Sequence, residues 1–215
     1  MTSFTAPLIT DPRPLLATAV STAGETIAGV QDGQLHDPTP CGTYDVHELL
    51  AHLLGVLDRL AVVGHGVENP FARPEAFVPE DGDWDRMWLS FAAAATDAWR
   101  DDAALVRPTM LPWAAESGHL ALRTYVAEIT VHTWDLAVAT GQKPAWNADV
   151  LRVSLDVMRD ILPAVGRVEM FEAIRATMPP DLRGGPHPYD PAVTVPSDAP
   201  LIDQLVAHVG RRPRF

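Results

Sequence analysis

Glu128 and His132 stand four residues apart in Glu128-Ile129-Thr130-Val131-His132, inside an otherwise apolar segment. Residues at this spacing share one face of a helix, so a carboxylate and an imidazole can aim at one point. A second apolar segment carries His52 between Leu49 and Val56. Brought together, His52, Glu128 and His132 offer two imidazoles and a carboxylate. That set suits Zn²⁺ or a similar divalent ion and leaves coordination positions open for water or substrate. Two plainer readings stay open: a Glu128–His132 hydrogen-bonded pair at a core edge, and His52 as a hydrogen-bonded core residue. Either would satisfy buried polar groups, which are costly when left alone.

Three further residues lie close to this set in the sequence. Glu48 precedes His52 by four residues and repeats the Glu–His spacing; it can join the cluster or face solvent. Asp135 follows His132 by three and can accept its second ring N–H, as carboxylates behind metal-bound histidines do, or bond to a neighbouring element. Cys41 stands just before a helix, where a thiol pKa can be lowered. At helical rise its eleven-residue separation from His52 is about three turns, which predicts a position away from the ligand set.

Helical periodicity supplies the elements that must carry these residues. The spacing predicts helices over Pro12–Val30, Tyr44–Val63 with Thr43 as N-cap, Asp83–Asp101, Gly118–Thr140, Ala148–Leu162 and Val168–Thr177. Gly64 and Gly141 read as helix stops. Gly66–Gly82, with three prolines, and Met178–Pro191 read as loops. Pro108–Ser117 reads as irregular, with one extended turn around Met110-Leu111-Pro112-Trp113. Ala192–Val195 reads as a short strand, followed by a last helix capped by Ser197 or Asp198 and running to Val209. The expected fold is all-α: a four-helix bundle over residues 1–177, with residues 178–215 as a C-terminal extension packed on it.

Composition narrows the function. The net charge of −12 comes with no basic cluster beyond Arg211-Arg212-Pro213-Arg214, so nucleic acid is not an expected partner. No apolar run approaches the ~20 residues of a membrane span. The first residues show no basic stretch leading into an apolar core, and Cys41 is the sole cysteine; both suit a cytoplasmic protein. H-E-x-x-H, G-x-S-x-G and a phosphate-cradling glycine loop are all missing, which disfavours zinc-protease, serine-hydrolase and nucleotide chemistry. Only Glu116–His119 has the E-x-x-H spacing, too few for a di-iron bundle.

Pro38-Thr39-Pro40-Cys41-Gly42-Thr43-Tyr44-Asp45-Val46-His47-Glu48-Leu49-Leu50-Ala51-His52 resembles the first signature of the DinB/YfiT-like superfamily. Glu128–Gly141 resembles its second, and Val193–Pro200 with the helix after it resembles the branch of mycothiol-dependent maleylpyruvate isomerase-type metal-binding proteins. The resemblance implies a four-helix bundle holding zinc or nickel through His52, Glu128 and His132. It further implies a low-molecular-weight thiol such as mycothiol as cofactor, and a thiol S-transferase or isomerase activity on a small electrophile. A non-catalytic, stress-related metal-binding module with the same site is the alternative. The isomerase carries a larger C-terminal domain, which this chain shortens to its last thirty or so residues. A wide apolar helix face also leaves room for a homodimer.

Overall fold

In a computed structural model, which describes residues 11–42, 44–67, 76–110, 115–177, 187 and 189–213, short polar side chains set where the helices begin. Helix α1 (Arg13–Ala28) opens with prolines in its first turn. Helix α2 (Val46–Gly64) opens with a reciprocal cap: the Asp45 carboxylate accepts the Glu48 N–H at 2.8 Å, and the Glu48 carboxylate accepts the Asp45 N–H at 3.0 Å. The cap is therefore Asp45, two residues later than expected; Thr43 lies outside the described residues. Helix α3 spans Trp84–Ala98 and is capped by Asp83. The expected single helix to Asp101 ends early because Asp101 caps a separate short helix, α4 (Asp102–Val106).

The stretch expected to be irregular forms a small antiparallel ribbon, β1 (Pro108–Met110) pairing with β2 (Ala115–Ser117). The expected turn at Met110–Trp113 falls almost wholly outside the described residues. Ser117 then caps the long helix α5 (Gly118–Thr140). Gly118 admits no side chain, since a Cβ there would sit 1.9 Å from the Ala104 carbonyl oxygen. At the other end Gly141 takes φ +71°, the left-handed conformation that closes a helix cheaply only in glycine. Asn147 caps α6 (Ala148–Ile161), and α7 (Arg167–Thr177) follows.

Two expectations near the C-terminus are corrected. Residues 192–195 form no strand: the Val193 N–H bonds instead to the carbonyl of Ala207, at the end of α8 (Leu201–His208). An isolated segment with no neighbouring strand satisfies its backbone wherever an unpaired helix-end carbonyl is within reach. Helix α8 also starts later than expected, after Pro200, and no side chain caps it.

The result is an all-α bundle with α5 at its centre, packed against α1, α2 and α6, while α3 covers α2 and α1. Two apolar clusters meet α5 from different sides. Leu122, Tyr125, Val126, Ile129 and Leu136 join the larger one, with α1, α2 and α3; Ala127 and Val131 join the smaller one, with α6 and α8. At about 100° per residue these two sets fall on opposite faces of the helix. Glu128, His132 and Asp135 fall between them, on the seam. No helix among the described residues is long and apolar enough to cross a membrane.

Candidate metal centre

Helix α2 brings His52 to the seam of α5, facing Glu128 and His132. Glu128 Oε1 lies 3.5 Å from His52 Nε2 and 3.3 Å from His132 Nε2. The two imidazoles meet edge to face, with ring centres 4.9 Å apart. One ligand atom from each of the three residues falls within 4.8 Å of the other two. The three residues singled out in the sequence are thus brought together. Glu48 is not among them, because its exposed carboxylate closes the cap of α2.

Among the described residues, exposure across the cluster is uneven. The side chains of Glu128 and His52 keep 22% and 15% exposure, against 6% for His132 and none for Asp135. On the closed side Asp135 Oδ2 lies 3.1 Å from His132 Nδ1. The buried guanidinium of Arg211 donates to both Asp135 oxygens, at 3.2 and 2.9 Å. On the open side the Tyr44 ring stacks on His52 with centres 5.0 Å apart, fixing the plane of that imidazole. The Tyr189 hydroxyl donates to Glu128 Oε2.

Electrostatics follow from these contacts. Burial acts to raise the Glu128 pKa, but the charge and hydrogen bond of His132, with the nearby His52, outweigh it and hold the carboxyl well below its usual range. For His132 burial acts downward, yet the Glu128 charge and the Asp135 hydrogen bond carry its pKa well above the ordinary value. His52 moves the opposite way: burial lowers its pKa, and the nearby Glu128 carboxylate offsets this only in part. Asp135 is held low by His132 and Arg211 against the effect of burial.

These residues fit a divalent metal. The buried Nε2 of His52 has no hydrogen-bond partner within normal distance, although it points at a carboxylate and a second imidazole. An orphaned acceptor of this kind, beside two more nitrogen and oxygen donors, is what a bound cation would satisfy. With Nδ1 of His132 facing Asp135, the other nitrogen is the one presented to the ion.

Sequence reasoning missed three residues here. Cys41 was expected about three turns from the cluster, but it hydrogen-bonds His132, and its sulfur lies within 4.8 Å of ligand atoms of His132 and Asp135. The helical rise does not apply before Asp45, because the loop doubles back: Pro38 bridges Asp45, and the Thr39 hydroxyl bonds the Tyr44 carbonyl. Cys41, His132 and Asp135 make a poorer metal set, since Asp135 already accepts from Arg211 with both oxygens. Tyr189 and Arg211 come from the C-terminal segment and carry no spacing signal. The Val193–Pro200 resemblance marked that segment without marking either residue.

Comparison with known proteins gives the same frame. Two uncharacterized proteins of Mycobacterium tuberculosis, Rv0738 of strain H37Rv and MT0763 of strain CDC 1551, are each 27% identical to the chain over 188 residues. Each alignment covers 87% of this chain and 91% of the relative. No solved structure is significantly similar. The profile of the mycothiol maleylpyruvate isomerase N-terminal domain matches residues 16–137, from α1 through Glu128, His132 and Asp135. With more than half of its length so matched, the chain belongs to the family of the mycothiol maleylpyruvate isomerase N-terminal domain.

Proposed function

We propose that the chain is a divalent-metal protein of the cytoplasm that uses a low-molecular-weight thiol, of the mycothiol kind, to transform a small electrophile as an S-transferase or isomerase. His52, Glu128 and His132 are its ligands, and zinc or nickel is the ion. The single observation that carries the reading is the convergence of their three donor atoms within 4.8 Å, with His52 Nε2 otherwise unpartnered. Residues 1–177 act as the metal-binding bundle and residues 178–215 as an extension of it.

When bound, a divalent ion with three protein ligands supplies an open position at which a thiol is deprotonated and a Lewis acid for the electrophile. The chain's own residues prepare that position. Asp135 keeps the Nδ1 proton of His132 on the closed side, leaving Nε2 for the ion, and Arg211 holds Asp135 in place. Tyr44 holds the His52 ring by stacking. The partial exposure of Glu128 and His52 leaves the approach for small molecules on that side.

The test is a thiol-by-electrophile screen of the zinc- and nickel-loaded protein, read by consumption of free thiol and by isomerisation of a conjugated cis-alkene. Turnover that needs both metal and thiol, and that is lost in His132→Ala, is the expected result. Stoichiometric metal with no turnover for any thiol would replace the enzyme with a non-catalytic metal-binding module.

A further inference from the structure

The C-terminal segment reaches the cluster through Tyr189, which lies beyond the family-matched residues 16–137. Its ring is held from both ends. The hydroxyl donates to Glu128 Oε2, and the Arg211 guanidinium lies 5.9 Å from the ring centre while gripping Asp135. The backbone carrying it is anchored as well. Buried Arg167 donates to the carbonyls of Pro163, Asp190 and His208, tying the residue after Tyr189 to α7 and α8. This leaves the two Glu128 oxygens in different roles. Oε2 accepts from the phenol, and Oε1 is the oxygen nearest the two histidine nitrogens, at 3.5 and 3.3 Å.

A carboxylate beside a metal can offer one oxygen or two, and the choice changes how many positions remain for substrate. From this division we infer that Tyr189 is a positioning residue for the metal: by occupying Glu128 Oε2 it keeps Glu128 a one-oxygen ligand and the coordination open. The inference rests on the ligand assignment proposed above. Removing the hydroxyl frees Oε2 to turn toward the ion, so both the affinity and the coordination number change. Hydrogen-bond partners behind metal ligands contribute about 10–100-fold in affinity.

The experiment compares full-length wild type with Tyr189→Phe, which removes one oxygen atom and keeps the ring. Zn²⁺ affinity is read by competition with a chromogenic chelator, and coordination by the visible absorption of the Co²⁺-loaded protein. The same pair is repeated in a Glu128→Gln background. The expected result is an affinity change of about 10-fold or more with an altered Co²⁺ spectrum in Tyr189→Phe, both absent when Glu128 is already Gln. Unaltered affinity and spectrum overturn the inference. So does an effect of equal size in the Glu128→Gln background, which would mark Tyr189 as a packing residue only. Failure of the wild type to bind Zn²⁺ or Co²⁺ would instead remove the ligand assignment itself.

Discussion

Two regions build this site in different ways. Helices α2 and α5 deliver His52, Glu128 and His132 by helical spacing, from apolar stripes that lock into one large core. The segment from Tyr189 to Arg211 has one short helix and delivers Tyr189 and Arg211 through tertiary contacts: Arg167 to two of its carbonyls, Val193 to Ala207, and Arg211 to Asp135. Periodicity makes the first region readable and robust, because each ligand is placed by a helix anchored in the buried core. The second packs its short helix on the smaller cluster, but places Tyr189 and Arg211 at the site through a few polar contacts, each of which can fail alone.

The sharpest way to break the contrast is Arg211→Met. Asp135 would be left fully buried with His132 as its only charged partner, and one-sided loss of a buried ion pair costs about 3–5 kcal/mol. Chemical denaturation of the metal-free variant should show that loss. Arg211→Met combined with Asp135→Asn should recover part of it, since no lone carboxylate then remains. A loss below about 1 kcal/mol would mean that the segment is not an integral support of the site.

Leu205→Ala tests the same segment through packing rather than charge. Leu205 is fully buried in the smaller cluster between α6 and α8, where such truncations cost about 2–5 kcal/mol. Its effect on denaturation should add to that of a truncation in the larger cluster such as Leu53→Ala, because the two side chains share neither cluster.

Glu48→Ala addresses the first region. Glu48 repeats the Glu–His spacing but closes the cap of α2, so its loss should cost about 1 kcal/mol. Metal content should not change. Loss of metal in this variant would contradict the division of roles between Glu48 and Glu128.

The smallest expected effect is a pH dependence of the second region. His208 Nε2 lies 3.1 Å from the carbonyls of Met158 and Leu162, and burial, opposed by those bonds, lowers its pKa below the ordinary 6.5. A histidine with a depressed folded pKa contributes its full stability above its unfolded pKa and loses it as pH falls toward the folded one. Thermal midpoints of wild type should therefore drop more than those of His208→Asn on acidification below about pH 6.5. Parallel curves for the two proteins would contradict the assignment.

How much could be read from the sequence follows the same division. The C-terminal bound of α5 was legible because Gly141 supplies the left-handed stop, while the Ser117 cap at its start is seen only in the structure. The break between α3 and α4 was not, since Asp101 caps a new helix in a stretch whose composition continues the old one. His52, Glu128 and His132 were legible as residue types on helical faces. Cys41 was not, because distance along the chain says nothing once a loop folds back on itself between Pro38 and Asp45. The 192–195 segment was misread for a related reason: β-branched residues favour extended backbone but do not supply a partner strand. Tyr189 and Arg211 act across more than sixty residues of sequence, where no period reaches.

The central claim is that His52, Glu128 and His132 together hold a divalent ion. It is tested most directly by elemental analysis of tag-free protein after loading with Zn²⁺ or Ni²⁺ and removal of excess, beside His52→Ala and His132→Ala. The account predicts about one ion per chain in the wild type and loss in both variants, with the variants still folded by circular dichroism. No ion in the wild type, or full retention in folded His52→Ala and His132→Ala, would contradict it.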